Sequence, residues 1–349
     1  MRRLLLSCVI LACVFPWVES LKAQPRPIAL GKPLLQTEAY FTDISTVVRT
    51  RSGDLWVADP GGEELVRVSG KTGAYEVVGR SGEGPAEYRA PQMVFAATAD
   101  TVLLFDSRLF RLNVYAPDGR FVRSVSMGGV GRTVSFVSGD DRGHLSGVAI
   151  DMASASTTAN GVVVRFAMSS GKIDTVVRIA GKSLVPLPAD PKRPGMRAFG
   201  FVPFADVDAF VSLANGGYVL ARAASGRVEW YDATGRRVHD AIFPGSRQPV
   251  TAELLASVQP APVRAMAPKT MPLFDEYGVV RSTGNRVWIR ANGPAGQPSV
   301  WYGFVRGQST PLAVQLPKGA RIVGASEPYL LVARRTDDGL QQVEVHRVP

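Results

Sequence analysis

Hydrophobic positions along the chain fall in short runs, and the runs come in sets of four. The first set is Ile44–Thr50, Leu55–Asp59, Leu65–Ser69 and Tyr75–Gly79, with Ser52-Gly53-Asp54 and Gly70-Lys71-Thr72-Gly73 as breaks. Runs of this length bounded by Gly, Asp and Ser predict strands joined by hairpin turns, where glycine takes φ > 0 without penalty. A second set repeats the layout: Met93–Ala97, Val102–Asp106, Leu112–Ala116 and Phe121–Ser126, broken by Thr98-Ala99-Asp100 and Pro117-Asp118-Gly119. Both sets end their second run in aspartate, Asp59 and Asp106. A repeating unit of four short strands predicts one blade of a β-propeller.

Four further units complete the chain. The third is degenerate (Val134–Val137, Leu145–Asp151, Val162–Met168, Ile173–Ile179), with a Ser/Thr/Ala loop over Ala153–Asn160. The fourth is clear: Phe210–Leu213, Tyr218–Arg222, Val228–Tyr231 and Val238–Phe243. Gly278–Ser282, Arg286–Ala291, Val300–Val305 and Leu312–Leu316 make the fifth. The sixth has only three runs, Arg321–Gly324, Tyr329–Arg334 and Gln342–Arg347, before the chain ends at Pro349. One run, within Pro33–Thr37, belongs to no unit. The expectation is an all-β, six-bladed β-propeller whose ring is closed by that N-terminal strand completing the last blade. Closure removes a sheet edge that would otherwise invite aggregation.

Two stretches interrupt the repeat. Ser183–Asp208 is proline-rich and carries Phe199, Phe201 and Phe204. Pro244–Glu276 contains Thr251–Val258, which predicts a short helix capped at or just before Thr251, while Pro260, Pro262, Pro268 and Pro272 exclude a long one. Long insertions on a rigid scaffold either carry function or cover blade edges.

The N-terminus stands outside this pattern. Arg2 and Arg3 precede an apolar run from Leu4 to Val14, and Leu21-Lys22-Ala23 can end a signal peptide, with cleavage after Ser20 or after Ala23. The run is short for a transmembrane helix of ~20 residues. Residues 1–23 therefore read as a leader and 24–349 as the exported propeller, periplasmic or secreted, with no transmembrane span. A competing reading takes Ile10-Leu11-Ala12-Cys13 as a loose lipobox, with Cys13 as a lipid anchor. Both cysteines, Cys8 and Cys13, lie in the leader, so the mature chain carries no disulfide and no cysteine metal site.

Composition changes the picture little. Losing Arg2, Arg3, Lys22 and Glu19 with the leader lowers the net charge from +10 to +8. The basic residues are scattered, without the clustered stripe of a nucleic-acid binder. His144, His239 and His346 are isolated, with no H-E-x-x-H spacing; there is no G-x-S-x-G elbow and no phosphate loop. Gly128-Gly129-Val130-Gly131-Arg132 lacks dinucleotide-binding spacing. No catalytic residue, metal ligand or cofactor is read from the chain.

Aligning the units on their second runs yields one constellation. Asp59, Asp106 and Asp151 end the run in units one to three, Arg222 and Arg334 in units four and six, and Arg290 stands one residue earlier in unit five. Equivalent positions of a ring share a face, so the pattern suggests a polarised mouth for a zwitterionic or peptide-like ligand. The alternative is that each aspartate caps its turn, with Arg108 or Arg111 pairing with Asp106.

The stretch Gly79–Pro91, GRSGEGPAEYRAP, reads as an inter-blade crossing. Its Gly82, Gly84, Pro85, Glu87 and Tyr88 resemble the Gly-x-Gly-Pro-Gly-Glu-Phe motif of a bacterial six-bladed propeller family related to NHL-repeat proteins, within the TolB-like propellers, with Ala86 in place of the third glycine. GDLWVAD (Gly53–Asp59), RLNVYAPDGRFVRS (Arg111–Ser124) and Met271-Pro272 extend the likeness over most of the mature chain. It implies the fold and export rather than a reaction. Glu87 is expected to bond backbone N–H groups in the crossing and Tyr88 to pack on the next blade; Glu83 and Glu87 are weaker ligand candidates. Glu83-Gly84-Pro85 also resembles the tripeptide that supplies a metal-binding glutamate in gluconolactonase-like propellers. Ala86-Glu87-Tyr88 after it, and the asparagines available, depart from that pattern.

The reading is an exported, non-catalytic propeller that binds a protein, peptide or small ligand at one face of the ring. A metal-dependent hydrolase of lactonase or lyase type is the alternative, and a structural envelope component a third.

Overall fold

The computed structural model describes residues 24–96, 101–128, 134–150, 160–188, 199–281, 285–294 and 297–348. Chain order begins with two short strands, β1 (Ile28–Ala29) and β2 (Leu35–Gln36). Blade I comes next as β3 (Thr46–Arg49), β4 (Leu55–Asp59), β5 (Glu64–Val68) and β6 (Tyr75–Val77). A crossing with its own small parallel pair, β7 (Arg80–Ser81) and β8 (Glu87–Tyr88), leads to blade II: β9 (Pro91–Ala96), β10 (Val102–Asp106), β11 (Arg111–Tyr115) and β12 (Phe121–Ser126). Blade III is β13 (Val134–Gly139), β14 (His144–Ile150), β15 (Asn160–Ala167) and β16 (Ile173–Ala180). A detached two-stranded ribbon, β17 (Leu184–Pro186) with β18 (Phe199–Phe201), precedes blade IV: β19 (Ala209–Ser212), β20 (Tyr218–Arg222), β21 (Arg227–Tyr231) and β22 (Arg237–Ile242).

Helices α1 (Ala252–Ala256) and α2 (Ala261–Arg264) fill the second insertion. Thr251 caps α1 as the sequence predicts, its hydroxyl accepting from Leu254 N–H at 3.3 Å. Blade V is β23 (Phe274–Arg281), β24 (Arg286–Ala291), β25 (Ser299–Val305) and β26 (Leu312–Leu316), and blade VI has β27 (Ala320–Ser326), β28 (Tyr329–Arg335) and β29 (Gln341–Arg347).

The ring closes as expected. β2 pairs antiparallel with β29, Leu35 opposite Val345, and supplies the fourth strand of blade VI. The closure is wider than the sequence suggests, because β1 adds a fifth strand to blade V, parallel to β26. Residues 28–36 thus stitch two blades together, chiefly through hydrogen bonds. Thr37 N–H donates to Val343 O at 3.0 Å, Gln36 Nε2 to Gln342 Oε1 at 2.7 Å, and His346 Nδ1 lies 3.0 Å from Gly31 O.

Among the described residues, six buried apolar clusters hold the ring, one at each blade junction. Neighbouring residues of a strand face opposite sides of its sheet, so each blade feeds two clusters. Val47 packs into the cluster between blades VI and I, and Val48 against the one between I and II. For the same reason LWVAD of β4 and VLLFD of β10 are buried throughout, as expected of strands covered on both faces. Among the described residues, the cluster at the junction of blades III and IV is built on Val163, Ile179, Phe210, Tyr218 and Leu220. There a hydroxyl chain supplements it: Ser138 Oγ accepts from Ser212 N–H, and Ser212 Oγ bonds Ser146 Oγ, both at 2.8 Å.

Each inner strand (β3, β9, β13, β19, β23, β27) ends its sheet, and together they surround a central channel. Within a blade, antiparallel order puts the incoming linker and the turn between the second and third strands at the same end. That end is the linker face of the ring.

Candidate functional site

Two of the three predicted aspartates, Asp59 and Asp106, lie on the linker face but are committed to backbone. Asp59 is 3% exposed, and its carboxylate accepts from Thr42 and Asp43 N–H at 2.8 Å and from Gly62 N–H at 3.0 Å. Asp106 is fully buried and accepts four N–H groups, from Arg89 (2.7 Å), Ala90 (3.3 Å), Arg108 (3.0 Å) and Leu109 (3.0 Å). Each carboxylate therefore ties the linker entering its own blade to the turn after the second strand. Arg108 meets Asp106 through its backbone, and the Arg111 guanidinium turns to the carbonyls of Glu83, Gly84 and Glu87. Asp151 lies outside the described residues.

The predicted arginines have partners within their blades. Arg222 bonds Asp208 and Glu229, both at 2.9 Å. Both carboxylates are buried. Burial lowers the Arg222 pKa, but the two bonds outweigh it and the net shift is upward. Arg334 pairs with Glu344 at 3.1 Å. Arg290 pairs with Asp275. Of these five described residues, Arg290 alone lines the channel. Blade IV keeps the capping chemistry with the carboxylate moved in sequence: Asp208 accepts from Ala180 N–H at 3.1 Å and Ala223 N–H at 3.0 Å.

In the crossing, Glu87 accepts from Gly84 N–H and from Arg80 Nε, both at 2.7 Å, and these bonds hold its carboxyl below its usual range. Gly82 is required here, since a Cβ would lie 2.1 Å from Glu87 Oε2. Ala86 adopts φ 62°, a left-handed conformation that glycine takes at no cost. Tyr88 is buried between blades I and II, where its hydroxyl accepts from Leu65 N–H at 3.1 Å. Glu83 is exposed and 3.7 Å from Arg89.

The channel encloses a cavity of about 920 Å³. Its charged lining is Arg49, Lys182, Arg290, Arg321 and Asp208. Arg49 ends β3 on the far face, 4.5 Å from the Tyr329 ring centroid. The other three cations sit on the linker face. Arg321, at the start of β27, donates to Ile44 O and to Gln341 Oε1 (3.2 Å), with Asp43 at 3.4 Å. Arg290 lies across β23, where Gly278 admits it: a Cβ there would meet Arg290 Cβ at 2.6 Å. Burial pushes both guanidiniums below their usual pKa; the charge of Arg321 adds to this at Arg290, while Asp43 opposes it at Arg321. Lys182 belongs to the linker between blades III and IV; it donates to Tyr277 Oη and stands 4.4 Å from that ring's centroid and 5.4 Å from that of Phe201. The one carboxylate of the described lining, Asp208, is engaged by Arg222, Ala180 and Ala223.

Lys182, Arg321 and Tyr277 were invisible to the alignment of second strands, because they stand on linkers and inner strands. Position was the available signal. Lys182 directly precedes the first insertion, and Arg321 opens the inner strand of the sixth unit. No histidine lines this cavity among the described residues. Nor do three or more His, Cys, Asp or Glu residues come together as a metal site among them. No described helix is long and apolar enough to cross a membrane.

No family profile matches the chain, and no curated protein matches it. Solved structures do. "Structure of U3-55K" is 10% identical, covers 91% of this chain and 100% of its own, and superposes with a TM-score of 0.52. The RRP9 WD40 repeats are 10% identical over 90% of this chain and 99% of theirs, with a TM-score of 0.50. A virginiamycin B lyase from Staphylococcus aureus, with quinupristin, is 12% identical over 89% of this chain and 82% of its own, with a TM-score of 0.43. At such identity the likeness concerns the propeller fold alone.

Proposed function

We propose that this propeller is an exported, NHL-repeat-like binding protein that holds an anionic small molecule or peptide group, carboxylate or phosphate, at the linker-face mouth of its central channel. One observation carries the reading: Lys182, Arg290 and Arg321 line the mouth, while Asp208, the one carboxylate among the described lining residues, has its oxygens engaged. Burial lowers the pKa of both Arg290 and Arg321, the charge of Arg321 adds to this at Arg290, and a bound anion reaching the two offsets part of that cost. A charge-assisted hydrogen bond contributes about 1.5–3 kcal/mol net. Two such bonds give roughly 3–6 kcal/mol, the millimolar to tens-of-micromolar range. Export is supported by the leader-like residues 1–23.

Calorimetric titration with inorganic phosphate and with propanoate checks the binding site. Saturable binding of at least one anion is expected, weakened by at least tenfold in the Lys182→Gln/Arg321→Gln double variant, which should keep the β-rich circular dichroism of the intact chain although it loses the Arg321 bonds to Ile44 and Gln341. Binding should also weaken at high salt, where exposed charges are screened. No binding of either anion, or equal binding by the double variant, overturns the reading.

A further inference from the structure

A second cavity of about 350 Å³ opens beside the channel mouth and shares Lys182, Val207 and Tyr277 with it. Its other walls come from both insertions: Phe201 and Phe204 from the first, Met271 and Phe274 from the second. The volume lies at the low end of the ~300–1,000 Å³ typical of ligand pockets, enough for one ring rather than an extended molecule. Three features distinguish this place from an incidental gap. Tyr277 is 76% exposed although it stands between two cavities, and Phe201 is 47% exposed. Lys182 lies near both rings, so a cation, two aromatic faces and the channel arginines converge. Phe204 adopts φ 55°, a left-handed conformation that is strained for a bulky residue and tends to mark ligand clamps. Asp275 joins the two cavities, since it lines the second and pairs with Arg290 of the first.

We infer that the bound anion is an aromatic carboxylate, its carboxylate among Lys182, Arg290 and Arg321 and its ring between Phe201 and Tyr277. This rests on the channel mouth being an anion site. Two sources share that chemistry: a free aromatic acid, and the C-terminus of a peptide ending in Phe, Tyr or Trp. The ring explains why the insertions are aromatic where they meet the mouth, and the acid explains why a lysine sits between them.

The test compares 3-phenylpropanoate, its neutral amide and propanoate on the full chain by calorimetry. The aromatic acid should bind at least tenfold more tightly than propanoate. Phe201→Ala should reduce that ratio to about threefold or less while leaving propanoate affinity unchanged. Its side chain is exposed, so circular dichroism and melting temperature should show an intact fold. Equal binding of 3-phenylpropanoate and propanoate overturns the aromatic subsite and leaves the anion site standing. Equal binding of the acid and its amide overturns the anion site instead, and with it the assignment of a carboxylate. A tripeptide ending in phenylalanine with a free carboxylate separates the sources: tighter binding than the free acid, lost on C-terminal amidation, assigns a protein terminus, and weaker binding assigns the free acid.

Discussion

At the scale of single residues, the same side chain type serves structure or binding according to what its neighbours leave unsatisfied. Asp59 and Asp106 stand at matching places because each blade has backbone N–H groups in its linker and turn that a carboxylate can satisfy. Glu344 shows the same logic in an ionic network. It is 4% exposed, bonds His346 Nε2 at 3.0 Å and Arg334 at 3.1 Å, and sits beneath the strap formed by β1 and β2. The bond to His346 and then Arg334 hold its carboxyl below its usual range despite burial. A carboxylate depressed in the folded state contributes stability that is fully present above its unfolded pKa, about 4.3, and is lost as pH falls through the lower folded value. The melting temperature should therefore drop as pH falls from about 5 to 3. Glu344→Gln should be less stable at neutral pH and show a shallower decline; an unchanged slope would count against Glu344 as the acid-sensitive group.

At the scale of elements, the strap and the insertions differ from the blades in how they are held. The blades are fastened by buried apolar clusters, whereas the strap exposes Ile28 and Leu34, packs only Leu30 and Leu35 against those clusters, and adds hydrogen bonds to β26 and β29. Each such bond contributes about 0.5–1.5 kcal/mol net, so the strap matters through their number and through covering two sheet edges. Deleting residues 24–38 should lower the melting temperature by several degrees and promote self-association. Deleting 24–30, which removes β1 alone, should do less. A full deletion that melts with the intact chain would remove the strap from any role in closure. The run at Pro33–Thr37 was legible as a strand because its apolar pattern had no unit of its own. Residues 28–29 were not, because two residues carry no periodicity.

At the scale of the whole molecule, the mature chain is expected to begin next to the strap. Mass spectrometry of the protein recovered from the envelope or medium of a bacterial host should show a start at Gln24 or Leu21. A lipidated start at Cys13, or an intact leader on a cytoplasmic product, would contradict leader removal. The six-bladed architecture was readable from sequence because it is written locally: four runs per unit, glycine and aspartate turns, and an orphan strand to close the ring. The capping reading of the aspartates was readable for the same reason, since cap and turn are neighbours in sequence. The channel mouth was not. Lys182, Arg290 and Arg321 come from three different linkers and strands, and only closure of the ring brings them to one opening. Whether a charge is spent or exposed also depends on partners from distant positions. Arg222 is taken up by Asp208 and Glu229 away from the cavity, and Arg290, though paired with Asp275, lines the channel because Gly278 leaves room across β23. Local pattern determined the blades, and the tertiary fold alone decided which charges face the cavity, because burial and pairing are properties of space rather than of spacing.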